Sequence, residues 1–248
     1  MREEVRFAGR ILSATISRAA DGWYASFAIE MEYQPDPRSD DTVIGVDLGI
    51  TALATLSDGS KVFAPKPLRR YLQKLKRLSR SLTRKQRCSR HRAKAKTKLA
   101  RLHRRIADIR TDVLHKLTTS LTRYRTIVIE DLNVSGMLAN RTLARAIADA
   151  GFFEFRRKLQ YKAEMAGSTV VVVDRWFPSS KLCSACGAKN GALTLSERIW
   201  TCASCGTSHD RDVNAARNLA RYAGSSPASA CGAEGTGRED DFAVKPAA

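Results

Sequence analysis

Cys183-Ser-Ala-Cys186 and, fifteen residues on, Cys202-Ala-Ser-Cys205 stand just ahead of His209-Asp-Arg-Asp212-Val-Asn214-Ala-Ala216. Two Cys-x-x-Cys knuckles at this separation have the spacing of a four-cysteine zinc ribbon. Each knuckle turns tightly enough for two thiolates to reach one face of a tetrahedral ion, and Gly187 and Gly206 directly after them suit the turns. A pair of disulfides or a redox dithiol would use the same residue type. A reducing, cytoplasmic setting disfavours the first, and duplication of the knuckle disfavours the second. The expectation is one structural zinc on Cys183, Cys186, Cys202 and Cys205. Acidic residues follow at once on what reads as a helix start, so the ribbon interrupts something larger.

Working outward, the region upstream reads as alternating strands and helices. Val43 to Ile50 is a buried strand with one carboxylate, Asp47, near its end. Thr51 to Leu56 and Lys61 to Phe63 read as two more strands joined by the turn Ser57 to Ser60, a three-stranded antiparallel meander. Asp47 in so apolar a strand is costly unless a cation partners it. Thr126 to Leu132 is a further apolar strand ending in Glu130 and Asp131, and Ser168 to Asp174 is the last. Between these two lie helical stretches over Leu143 to Ala150 and Phe152 to Ala166, and Asp212 to Tyr222 closes the fold as a helix. Three antiparallel strands, a helical excursion, then strands separated by helices is the order of an α/β, RNase H-like mixed sheet. Asp47, Glu130 and an aspartate on the last helix then converge at one sheet edge. Three carboxylates there suit two divalent ions about 4 Å apart, the arrangement for phosphodiester hydrolysis. Magnesium fits as a hard, oxygen-loving ion, with manganese as an alternative.

The helical excursion carries the charge. Leu68, Leu72, Leu75, Leu78 and Leu82 recur at helical steps, as do Leu99, Leu102, Ile106, Ile109, Val113 and Leu117. The spacing predicts two long helices folded back as a hairpin, with a basic elbow near Ser89 that includes Arg84, Lys85, Arg87 and Arg90. About half of the chain's 43 Lys and Arg fall in this stretch and acidic residues are nearly missing from it. With a formal net charge of +18 over 248 residues, the partner expected is a nucleic acid, bound through its phosphates. A membrane partner is not expected, because no apolar run is long enough to span a bilayer and the start lacks the apolar core of a secretion signal. Cys88 and Cys231 remain as strays with no disulfide framework around them.

At the start, Ile11 to Ser17 and Trp23 to Ile29 alternate as two strands about a turn ending in Asp21-Gly22, a hairpin signal. A lone hairpin is marginal in water, so the segment reads as the end of a module begun elsewhere. Tyr33 to Asp41, with Pro35 and Pro37, reads as a linker. From Gly224 on, small and acidic residues predict a disordered tail.

Gly45-Val-Asp47-Leu-Gly49-Ile50, then Val128-Ile-Glu130-Asp131-Leu132, then the ribbon leading into His209 to Ala216 resemble the TnpB family. These are the OrfB proteins of bacterial insertion sequences, often labelled transposases and related to the type V CRISPR effectors. In that family a RuvC-like nuclease domain carries an inserted zinc ribbon and cuts DNA directed by a guide RNA. The resemblance covers residues 10–222. It implies metal-binding catalytic roles for Asp47, Glu130 and Asp212, zinc-ligand roles for the four cysteines, and DNA and a guide RNA as partners. Asp210 competes for the third carboxylate; Asp212 is preferred because it stands two residues before Asn214 in the family's Asp-x-Asn-Ala-Ala pattern.

The implied organisation is a remnant of an N-terminal β-barrel with its linker over 1–40, a nuclease domain over 41–178 and 207–223, the ribbon over 179–206 and the tail over 224–248. Full-length relatives place a helical recognition lobe within that barrel. Here only the last barrel hairpin is expected, near Ile11 to Glu32, in an N-terminally truncated chain. Three activities follow from these readings: a magnesium-dependent endonuclease, a DNA- or RNA-binding remnant that does not cut, and a strand-transfer transposase.

Overall fold

Arg10–Arg18 (β1) and Trp23–Glu30 (β2) pair antiparallel about a turn closed by Ala19 N–H donating to Gly22 O at 2.8 Å. The computed structural model, which describes residues 9–32, 42–194 and 196–225, leaves this hairpin largely open to solvent, with Ile16 73% and Trp23 70% exposed. Its turn meets the long helix described below: Arg101 Nε donates to Ala20 O at 3.2 Å, and the Arg104 guanidinium lies 4.9 Å from the Tyr24 ring centre. The expected linker, residues 33–41, lies outside the described residues, as do 226–248 with Cys231.

Val43–Leu48 (β3) is paired on both edges. Ala54–Leu56 (β4) runs antiparallel to it, followed by Lys61–Val62 (β5), antiparallel to β4. The strand expected from Thr51 onward is shorter in the structure. Residues 51–53 bend, sending Leu53 into the core, and Leu53 N–H donates to Val62 O at 2.7 Å.

Pro67–Thr83 (α1) and Arg90–Leu121 (α2) form the helical hairpin. Its elbow is a built turn. Ser89 Oγ caps α2 by accepting from Arg92 N–H at 3.1 Å, while Arg92 Nη1 donates back to Leu82 O and Lys85 O near the end of α1. Leu75, Leu102 and Ile106 are buried between the two helices as a small cluster of their own.

Thr126–Glu130 (β6) then runs parallel to β3. After it come three helices, Val134–Ala139 (α3), Ala144–Ala150 (α4) and Phe152–Ala166 (α5). Thr169–Val173 (β7) lies parallel to β6, giving a five-stranded mixed sheet in the order β5-β4-β3-β6-β7. Helices supply the crossovers that parallel neighbours require. Ile199–Thr201 (β8) and Ser208–Asp210 (β9) form the small ribbon hairpin, and Arg211–Ser225 (α6) ends the described chain. The last helix therefore runs past the expected boundary at residue 223.

Side-chain alternation assigns the two faces of the sheet. Ile44, Val46, Ile127 and Ile129 pack with Leu114, Leu117 and Leu121 of α2 and Phe155 and Leu159 of α5. On the other face, Val128 and Val173 meet Leu219 of α6. Gly45 belongs to that second face, where α6 lies directly on β3: a Cβ at Gly45 would sit 1.9 Å from Ala216 O and 2.6 Å from Ala220 N. The Gly-x-Asp of β3 and the Asn-Ala-Ala of α6 are two halves of one close approach.

A buried carboxylate fastens the helices to each other. The first turn of α1 has no side-chain cap of its own, its capping position being Lys66 in a left-handed conformation. Asp149 of α4 accepts from Leu68 N–H and Arg69 N–H at 3.0 Å each, with Arg110 Nη2 of α2 3.5 Å from its Oδ1. Among the described residues, no helix is long and apolar enough to cross a membrane.

Candidate functional site

Asp47 and Glu130 share a parity with Gly45 and Val128, so both point to the face that α6 covers. They occupy the C-terminal ends of adjacent parallel strands, since Val46 is registered with Ile129. Asp212 enters from the first turn of α6. Enclosure by protein, then the negative charges of Asp212 and Glu130, push Asp47 up to about 8, against weaker opposition from Arg211 and Arg198. Burial also raises Glu130. Asp212 keeps an ion pair to Arg198 at 3.3 Å.

The neighbouring acids are committed elsewhere. Asp210 caps α6, its Oδ1 accepting from Asp212 N–H at 3.0 Å and Val213 N–H at 3.1 Å, and its Oδ2 pairs with Lys61 at 2.7 Å. Asp131 is held between Arg156 at 2.7 Å and Arg175 at 2.5 Å, hydrogen bonds that keep its carboxyl below the usual range. Asp131 and Asp210 are thus each tied to at least two partners, while Asp212 keeps its ion pair to Arg198. Among the described residues, the only group of three or more His, Cys, Asp or Glu side chains whose ligand atoms all lie within 4.8 Å of one another is the four ribbon cysteines. A cleft of about 600 Å³ opens beside Glu130, lined by Leu48, Asn133, Phe153, Arg156 and Arg175.

The four ribbon cysteines come together as their spacing predicts. Their sulfurs all lie within 4.8 Å of one another, with Cys183–Cys205 at 3.7 Å and Cys186–Cys202 at 3.6 Å. A zinc–sulfur bond of about 2.3 Å gives a tetrahedron edge of about 3.8 Å, whereas a disulfide needs about 2.05 Å. The donor set thus fits a tetrahedral zinc. Sequence reasoning had no role for His209, which is 5% exposed, places Nε2 3.0 Å from Cys183 Sγ and lies 4.9 Å from the Trp200 ring centre. Burial lowers its pKa, which favours the neutral ring; in the tautomer protonated at Nε2, that N–H faces the Cys183 sulfur. The only sequence sign was a histidine at the ribbon–helix junction.

The basic elbow also forms as expected. Arg84 and Lys85 line one shallow groove on α1 with Arg70, Lys74, Arg77 and Arg80. Arg87 and Arg90 are exposed at the turn itself, outside that groove.

Two family models match this chain. One, described as "Probable transposase" (OrfB), matches residues 26–141, and the other, "Cas12f1-like, TNB domain", matches 152–219. A protein named "Putative RNA-guided DNA endonuclease" in Streptomyces pristinaespiralis is 49% identical over 222 residues, covering 89% of this chain and 54% of that protein. InsQ of Escherichia coli K12, given the same description, is 36% identical over 235 residues, covering 88% and 58%. The chain thus spans little more than half the length of these curated relatives. Among solved structures, a Cas12f1–sgRNA–target DNA complex aligns with a TM-score of 0.53 at 17% identity, covering 83% of this chain and 55% of that one, a likeness of fold.

Proposed function

This chain belongs to the TnpB (OrfB) family of transposon proteins, and from that premise we propose that it is a divalent-metal-dependent DNA endonuclease built on a RuvC-like, RNase H-type sheet. The observation that carries the reading is the Asp47 carboxyl, pushed up to about 8 by burial first and then by the negative charges of Asp212 and Glu130. A bound cation would relieve both the burial and the repulsion of these carboxylates. In this reading residues 41–178 and 207–225 form the nuclease, with the ribbon inserted over 179–206.

Asp47, Glu130 and Asp212 would hold two magnesium ions, which supply activation of a water and stabilisation of the leaving 3′ oxygen. The chain's own contributions are positional. Asp210, tied to Lys61, fixes the start of α6 and so aims Asp212. Arg156 and Arg175 clamp Asp131 and hold the end of β6, keeping Glu130 at the mouth of the cleft. Their guanidinium groups also give that cleft a positive wall for a phosphodiester. The hairpin of α1 and α2 supplies the sequence-indifferent grip on phosphate, for DNA and for the RNA that relatives are named for.

The test is nicking of supercoiled plasmid and of single-stranded oligonucleotides with magnesium, compared with Asp47→Ala and with a chelator. Cleavage lost in both controls supports the nuclease. Salt-sensitive binding with no cleavage in any metal would instead favour the binding-only reading. Joining of ends would indicate strand transfer.

A further inference from the structure

Asn214 and Asn218 are 1% and 6% exposed, polar, and unused by the chemistry above. Both lie on one face of α6, four residues apart, and both reach the first cysteine knuckle. Asn214 Oδ1 accepts from Ser184 N–H at 2.8 Å, and its Nδ2 donates to Leu182 O at 2.7 Å. Asn218 Nδ2 donates to Leu182 O and Ser179 O, each at 2.7 Å. The backbone on either side of Cys183 is therefore held by the helix that carries Asp212. His209 bonds Cys183 itself from the other knuckle's strand. The next residue, Asp210, caps that same helix.

We propose that the four-cysteine centre and the carboxylate centre are energetically coupled through α6, with Asn214, Asn218 and His209 as positioning residues. The inference rests on the carboxylate reading above and extends it. The helix is fixed on one side by the sheet, where Gly45 leaves no slack, and on the other by the knuckle. Four thiolates drawn onto one cation set the path of Leu182 to Ser184, and the two asparagines pass that path to the first turns of α6. Without the cation the thiolates repel, the knuckle opens, and the same hydrogen bonds pull on Asp212. Linkage requires the effect to run both ways: filling the carboxylate centre must tighten the ribbon's hold on zinc by the factor with which zinc tightens the hold on magnesium.

The experiment measures zinc transfer from the full, zinc-loaded chain to a zinc-selective chromophoric chelator, with and without magnesium. Magnesium binding is followed separately by thermal shift. In the wild type, magnesium should reduce zinc loss roughly five-fold or more, the scale of ordinary allosteric coupling. Asp47→Ala should keep the basal zinc affinity but lose the magnesium effect. Asn214→Ala retains all four thiolates and should both weaken zinc and erase the magnesium effect. His209→Gln, which keeps an N–H donor and stays close to wild-type volume, should retain more of the coupling than His209→Ala and guards against a folding failure at Asn214.

An equal magnesium effect in wild type and Asn214→Ala overturns the clamp, as does an effect that persists in Asp47→Ala. Magnesium that stabilises the wild type yet leaves zinc transfer unchanged overturns the coupling alone. No magnesium response of any kind overturns the carboxylate reading and the coupling with it.

Discussion

Gly45→Ala adds one methyl group where β3 and α6 touch. The new Cβ would lie 1.9 Å from Ala216 O and 2.6 Å from Ala220 N, both backbone atoms that no rotamer change can move. Bringing even the first contact to 3.0 Å requires about 1.1 Å of separation between strand and helix. Overpacking of this kind costs up to about 3 kcal/mol, or roughly 6–12 °C in Tm for a chain of this size. The same displacement carries Asp212 away from Asp47, and an error of about 1 Å in a reacting constellation costs on the order of 10²-fold in rate. Thermal unfolding followed by circular dichroism, with and without magnesium, reads the loss of stability and of metal response, and plasmid nicking reads the rate. Gly191→Ala, which has open space around it and no positive φ, serves as the neutral control. A Gly45→Ala protein within 0.5 °C of wild type, with its magnesium response intact, would show that α6 is not held against β3 as described.

Three more outcomes are expected. The Asp47 carboxyl is raised in the fold from 3.8 to about 8, so its stabilising contribution is complete below pH 3.8 and is lost as pH rises through 8. Metal-free protein should lose stability across that window at a slope of up to ~1.4 kcal/mol per pH unit, and Asp47→Asn should flatten it; an unchanged slope in the variant refutes the assignment. Asp210→Ala should cost about 1–2 kcal/mol as a lost cap yet retain much of the magnesium-linked stabilisation, whereas Asp212→Ala should abolish that stabilisation, and the reverse result moves the third ligand to Asp210. Reversing Arg84, Lys85, Arg87 and Arg90 to Glu should weaken DNA binding and shrink the log–log salt slope by up to about 3.6; an unaltered slope leaves the elbow an ordinary solvated surface.

The strands and the helical hairpin are legible in sequence because each has one dominant period, and the ribbon because cysteine spacing is itself a geometric statement. Asp131 differs from Glu130 in a way no local pattern announces, since Arg156 and Arg175 reach it from α5 and the segment after β7. The preference for Asp212 rests in sequence on a motif, while in the structure it rests on Asp210 being occupied as a cap and by Lys61. Short elements escape: α3 spans six residues with Gly136 inside it, too brief to show a period. Asp149 and His209 escape for a different reason. Each acts on residues far along the chain, and nothing local distinguishes either from a surface polar residue.

From its Ser89 cap to Leu114, where α2 joins the main core, the helix advances 25 residues, or about 38 Å at 1.5 Å per residue. One turn of B-form duplex occupies about 34–36 Å. A duplex laid along the hairpin would therefore show the elbow and the sheet nearly the same side of its spiral. If the hairpin grips DNA as proposed, the helix would serve as a ruler graduated in the pitch of the duplex, and adding or deleting a turn of it would rotate the grip relative to the carboxylates as well as displace it.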